Sequence, residues 1–299
     1  MKKRILFFAF LLLASSLQAE DGYRLWLRYN KIDNPSLLAR YRQLIQSVNV
    51  PGNSATTAII RHEIKTGLGG LLGIDVPVSG KDPSLFISTT GNAGKLNYRP
   101  SPASLARIGN EGYIIQSLSV AGKKTIAIIA HTDIGLLYGS FQFLRLIQTQ
   151  QSIENLQIVA APQIKLRMLN HWDNLDGHVE RGFAGKYIWN WHTLPDYIDQ
   201  RYIDYARANA SIGINGTVLT NVNANALVLS PMYLDKVAAL AHTFRPYGIK
   251  VFLTARFSAP VEIGGLTTAD PLNEKVRQWW ADKAKEIYSL IPDFGGFLV

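Results

Sequence analysis

From residue 165 onward the chain alternates strand, helix, strand, helix with short connections, and that alternation restricts the fold more than any other feature. Lys165 to Asn170 reads as a strand, Asp196 to Asn209 as a helix, Ile212 to Thr220 as a strand and Met232 to Phe244 as a helix. Ile249 to Ala255, Leu272 to Leu290 and Phe294 to Val299 continue as strand, helix and strand. Such spacing predicts a parallel sheet of right-handed βαβ units. The segments after the strands are polar or aromatic: His171-Trp172-Asp173-Asn174, Asn221-Val222-Asn223 and Arg256-Phe257-Ser258. In a (β/α)8 barrel this is the face that carries the active site. Four strands are half of such a barrel, and a half barrel leaves strand edges and apolar faces uncovered. On these grounds the sequence is read as incomplete, with proteolysis back to about residue 150, or aggregation, expected.

The part before the alternation reads as a mixed α/β sandwich. Gly22 to Tyr29 alternates apolar and basic residues like a strand with one buried face. Asn34-Pro35-Ser36 opens a helix with Leu37, Leu38, Tyr41, Leu44, Ile45 and Val48 on one stripe. A second helix runs from about Ala55 and ends at the glycine run Gly67 to Gly70. Leu85 to Ser88 is a buried strand, and Glu111–Val120 with Lys124–Ile129 form a hairpin about Ala121-Gly122. After His131-Thr132-Asp133, read as a helix cap rather than a metal ligand or an acid/base pair, comes an apolar helix that contains Gly135 and Gly139. Glycine inside a helix is tolerated where close packing requires it.

Composition narrows the function. No cysteine is present, which excludes disulfides, thiol nucleophiles and cysteine–zinc sites. Lys2, Lys3 and Arg4 precede the apolar run Ile5 to Leu13, and Leu17-Gln18-Ala19 follows with small residues. This is a signal-peptide pattern with cleavage after Ala19, so the protein is expected to be exported, to a periplasm or outside the cell. The expected organisation is therefore 1–19 signal peptide, 20–155 N-terminal α/β domain and 156–299 the first four strands of the barrel. The 299 residues hold 31 Lys+Arg against 22 Asp+Glu; without the leader's three cations, 28 remain. These are scattered, so the reading is a solvated surface with a bias toward anionic ligands, not a nucleic-acid binder.

The segment Asn170 to Gly185 carries the most chemistry: an amide, an imidazole, an indole, several acids and an arginine in one loop, with Trp189 and Trp191 beyond. Aromatic residues beside carboxylates and amides at a barrel mouth suit a sugar, whose apolar face stacks on indole while its hydroxyls bond polar partners. Trp172, at the strand tip, is read as ligand-facing, whereas His171 reads as a structural hydrogen-bonder. For Glu180, Arg181, Trp189 and Trp191 two readings stand level: sugar contact, or an internal Glu180–Arg181 ion pair above packed indoles. Glycoside cleavage needs an acid and a base astride the scissile oxygen. Asp173, Asp176, Glu180, Glu262 and Asp270 are the available acids, and spacing does not pair them.

Several blocks resemble the α-glucuronidases of glycoside hydrolase family 67: Glu20 to Tyr29, Asn170 to Gly185, Asn215 to Ala224, Phe257 to Leu272 and Trp279 to Lys283. The resemblance implies an N-terminal α/β domain, a β/α barrel and a helical C-terminal domain used for dimerisation. It implies an exo-acting, metal-free, cofactor-free inverting enzyme that removes (4-O-methyl)glucuronic acid from the α-1,2 bond to the terminal xylose of glucuronoxylan-derived oligosaccharides (aldouronic acids). By position, Trp172 matches the family tryptophan packed on the glucuronate ring, and Val222 matches a pocket-lining residue beside Asn221. Asn170, Asp173 and Glu180 complete the expected substrate-binding set. The family's general acid follows the strand in which this sequence ends, and its base lies further on, so no catalytic residue is expected in this chain. Thr132 to Gly139, with Leu144 and Ile147, also resembles the domain that precedes the barrel in β-N-acetylhexosaminidases. The Asn-His-Trp-Asp-Asn block argues against that family. A non-catalytic carbohydrate-binding remnant is the reading outside the enzymes.

Overall fold

The computed structural model describes residues 21–78, 82–92, 98–120 and 122–299. The expected leader at 1–19, and Ala121 at the hairpin turn, lie outside the described residues. Helices and strands follow in the order α1 Pro35–Leu44, β1 Val48–Asn49, α2 Ala55–Leu72, β2 Leu85–Thr89, α3 Pro102–Ile108, β3 Tyr113–Val120, β4 Lys123–Ala130, α4 Asp133–Gln148 and β5 Gln157–Ala160. The second half continues β6 Met168–Asn170, α5 Gln200–Ser211, β7 Gly216–Val218, α6 Pro231–Phe244, β8 Lys250–Thr254, α7 Ala259–Glu262, α8 Glu274–Leu290 and β9 Gly296–Leu298. The class is α/β, with a mixed sandwich followed by four parallel strands joined by helices.

The first sheet has the order β1-β2-β4-β3-β5, with β1, β2 and β4 parallel and β3 antiparallel to both β4 and β5. Strand alternation divides its two faces. Leu85, Ile87, Ile126 and Ile128 join the large core under α2 and α4, while Phe86, Ala127 and Ile129 meet Ile108 of α3 in a second cluster. The second sheet, β6-β7-β8-β9, is parallel throughout, with α5, α6 and α8 as crossovers.

Caps read from the sequence hold. The Asn34 side chain accepts from Leu37 N–H at α1, and Thr132 Oγ1 accepts from Gly135 N–H at α4. Asp133 instead takes the Ser54 hydroxyl at 2.6 Å. Three expectations are corrected. The segment 22–29 is not a strand but a run of turns, with Leu25 and Tyr29 at positive φ. Its polar groups are met without a ladder: Trp26 Nε1 donates to Ser211 Oγ and the Gln148 amide donates to Trp26 O. Helix α2 does not stop at the glycine run but continues to Leu72 and is capped by left-handed Gly73. Gly67 and Gly70 serve contact there, since a Cβ on Gly70 would lie 2.4 Å from Tyr29 O. Finally, the strands are shorter than read: β7 is confined to Gly216–Val218, since Ile212 to Ile214 turn back onto the end of α5, their N–H groups donating to Asn209 O and Ala210 O.

The two sheets do not have separate cores. One cluster of buried side chains runs from Leu38 and Leu68 through Leu144 to Trp189, Leu240 and Leu253. Across it, Arg207 of α5 forms a bidentate pair with Glu63 of α2 at 2.6 and 2.8 Å, and Tyr29 donates to the same carboxylate. Among the described residues no helix is long and apolar enough to cross a membrane.

Candidate carbohydrate-binding face

The tips of β6, β7 and β8 bring His171 to Glu180, Leu219 to Asn223 and Arg256 to Glu262 to one end of the parallel sheet. The β6 tip is tied to its neighbour by His171 N–H donating to Val218 O and by Asn221 N–H donating to Asp173 O, at 3.1 and 2.9 Å. Trp172 projects from this junction with 44% of its surface exposed, and its carbonyl accepts from Glu180 N–H at 2.8 Å. Val222 is 40% exposed and Phe257 69%, so all three sampled strand tips present an apolar side chain to solvent. Asn170, the last residue of β6, is also exposed.

Asp173 and Asn221 lie beneath this surface. Asp173 is buried, and its Oδ2 accepts from Ile188 N–H at 2.6 Å. Burial raises its carboxyl above the usual range, against the backbone N–H groups of Ile188 and Trp189, which lower it. Asn221 is buried too, and its Oδ1 accepts from Asn223 N–H at 2.8 Å, closing an Asx-type turn. Both side chains thus shape loops. Glu180 sits at φ 56°, with Arg181 Nε 3.5 Å from its Oε1. Its other carboxylate oxygen is buried with no hydrogen-bond partner. Polar atoms in that position normally find one.

The level readings of the loop are now separated. Trp189 and Trp191 are core residues, fully buried, and Trp189 Nε1 donates to Leu219 O at 3.1 Å. The Glu180–Arg181 contact exists, but Arg181 itself is largely exposed. His171 is structural: its Nε2 meets Tyr205 Oη at 2.7 Å, and Tyr205 Oη meets Thr217 Oγ1 at 2.9 Å. Burial pushes the imidazole down to about 4, so it is neutral near pH 7.

The remaining acids are engaged locally. Asp176 is exposed and takes His178 N–H, which with the imidazole holds it below the usual range. Asp270 caps Leu272 N–H. Glu262 takes Arg256 Nε at 2.6 Å and the Ser258 hydroxyl, and these donors hold it below the carboxylate norm. Arg256 also donates to Asn223 O at 3.1 Å, joining the second and third tips. That brace was missed from sequence, although an arginine directly after a barrel strand was a usable signal. Among the described residues no group of three or more His, Cys, Asp or Glu could hold a metal ion. The face offers an exposed indole, the exposed amides of Asn170 and Asn223 and a partly exposed Glu180 carboxylate, a combination that suits binding of a polar ring.

This architecture, an α/β sandwich followed by parallel β/α units, has counterparts among solved structures. The similarity to a GH138 enzyme targeting pectin rhamnogalacturonan II has a TM-score of 0.56 at 14% identity and covers 84% of this chain and 30% of that one. A GH115 4-O-methyl-α-glucuronidase with specificity for decorated arabinogalactans gives 0.53 at 13%, covering 82% and 34%. At these identities the likeness concerns the fold alone. The glycosyl hydrolase family 67 N-terminus matches residues 25–143 and the family 67 middle domain matches residues 146–299, and the chain belongs to that family. Alpha-glucuronidase A of Emericella nidulans is 36% identical over 96% of this chain and 34% of its own length. A probable alpha-glucuronidase A of Aspergillus oryzae is 33% identical with the same coverage. The chain thus spans about a third of the length of these curated relatives.

Proposed function

We propose that this protein is an α-glucuronidase that hydrolyses, with inversion, the α-1,2 bond between (4-O-methyl)glucuronic acid and the terminal xylose of xylo-oligosaccharides during xylan degradation. The observation that carries the reading is Trp172: an indole locked by its backbone at a strand tip, yet with 44% of its surface exposed. In this reading the sugar ring stacks on Trp172, Val222 lines the same pocket, and Asn170 and the partly exposed Glu180 side chain meet hydroxyls. Asp173 and Asn221 act from below by holding the loops. The acid and base, which in an inverting enzyme stand roughly 6.5–9.5 Å apart, come from sequence beyond that spanned here. Export by a cleaved leader and dimerisation through a C-terminal domain belong to the same proposal.

The test is release of (4-O-methyl)glucuronic acid from aldouronic oligosaccharides by this chain and by a form extended toward the length of its relatives. Activity is expected only in the extended form. Trp172→Ala in that form should weaken substrate binding about tenfold, the size of one lost aromatic contact, without lowering the unfolding midpoint. Activity in the 299-residue chain would return the catalytic role to Asp173, Glu180 or Glu262. Unchanged affinity in Trp172→Ala would remove the indole from the pocket.

A further inference from the structure

A second cleft lies where β3, α4 and β5 meet the end of α5, with a volume of about 280 Å3. Its walls include Glu111, Tyr113, Tyr138, Gln142, Arg145 and Arg167. Arg167 precedes β6, and the α5 end leads into β7, so the cleft sits at the opposite end of the parallel sheet from Trp172 and Val222. It does not depend on any role for the strand tips.

The cleft is rich in donors that the protein leaves unused. Tyr138 is only 6% exposed, and its buried hydroxyl has no acceptor for its own proton, although the Arg167 guanidinium lies close enough to act on its oxygen. The charged groups that act on that hydroxyl are Glu111 and Arg167, both in the cleft walls, which places its phenolic end on this side. Burial holds the phenol protonated, pushed up to about 12, so it remains a donor. Arg167 is committed: it donates to Gly213 O, Ile164 O and Glu111 Oε2. Arg145 is not. One of its nitrogens donates to Ser211 O at 3.1 Å, and among the described residues it has no carboxylate partner. The side chains of Tyr113 and Gln142 likewise make no hydrogen bond to a described residue.

Glu111 balances Arg167, so Arg145 leaves the cleft with one surplus positive charge. Unused donors around a surplus cation call for a ligand that is all acceptor and carries one negative charge. The volume lies just under the roughly 300–1,000 Å3 of drug-sized ligand sites, which suits a small ligand. We propose that this cleft binds a small organic carboxylate of up to monosaccharide size, held by Tyr138, Arg145 and Gln142.

The experiment is calorimetric titration of the 299-residue chain with sodium acetate, sodium D-glucuronate and, as a neutral control, D-glucose. Saturable binding of a carboxylate and none of glucose is expected. Tyr138→Phe and Arg145→Gln should each weaken it at least about tenfold, as loss of a hydrogen bond to a charged group does. Trp172→Ala should leave it unchanged, which separates this cleft from the strand-tip face. Should Tyr138→Phe lose its native circular dichroism, Gln142→Leu on the same wall takes its place. No saturable binding of either carboxylate, equal binding of glucose, or binding lost in Trp172→Ala but kept in Tyr138→Phe would each overturn the proposal.

Discussion

The His171 ring stands edge-on to Trp189 at 5.5 Å and hydrogen-bonds Tyr205, among aromatic side chains whose burial of the ring disfavours an imidazolium. Its folded pKa of about 4 lies below the unfolded value of 6.5. The unfolded chain then binds the proton more readily, and stability is lost as the pH falls from about 6.5 to about 4. The full loss is somewhat over 3 kcal/mol, at roughly 1.4 kcal/mol per pH unit. Other carboxylates titrate in that window, so the His171 share is read from a variant. In His171→Gln, the difference in urea-unfolding free energy between pH 7 and pH 4.5 should shrink by about 2 kcal/mol. Identical pH dependence in the two proteins would mean that folding does not shift the ring's titration.

Helix α4 shows how packing overrides propensity. Alanine is favoured over glycine inside a helix by about 1 kcal/mol. Yet a Cβ on Gly135 would lie 2.5 Å from Gly112 O and 2.8 Å from the Ala130 methyl. Gly139 is equally closed, with Ile128 Cγ2 at 2.7 Å. Gly135→Ala should therefore destabilise by about 1–2 kcal/mol, the overpacking cost net of the propensity gain. Gly69 in α2 is the control: the nearest atom to its Cβ position is 3.9 Å away. Gly69→Ala should stabilise by up to about 1 kcal/mol. Urea unfolding of the pair checks both signs, and equal effects would deny that the sheet contact selects the glycine.

Across the molecule, the continuous core and the Glu63–Arg207–Tyr29 cluster couple the sandwich to the β/α units. Glu63 is buried, so removing its charge leaves the half-buried Arg207 without its counterion, at a cost of about 3 kcal/mol. The chain should unfold in one urea transition, and Glu63→Gln should lower its midpoint or split it in two. Limited proteolysis tests the same coupling from the other side. A fragment ending near residue 150 that outlasts the rest in the unsubstituted chain would show that the sandwich stands alone, as the uncovered strand edges led one to expect. Release of that fragment only in Glu63→Gln is the outcome the shared core favours.

Local order was legible in the residues because its causes are local. The strand–helix alternation after 165, the caps at Asn34 and Thr132 and the hairpin of β3 and β4 follow from periodicity and from side chains that reach their own backbone. That logic placed Trp172 at a strand tip, and the resemblance of whole blocks placed the chain in its family. Folding in three dimensions settled the rest, since burial is not a local quantity. The apolar/basic alternation of 22–29 fits a strand equally well, but contacts from α4 and α5 bend it into turns. In the loop after β6 indoles and acids have the same composition cues, and only packing divides them. Trp189, Trp191 and Asp173 went under the surface, Trp172 stayed above it, and a donor-lined cleft formed between elements far apart in the chain.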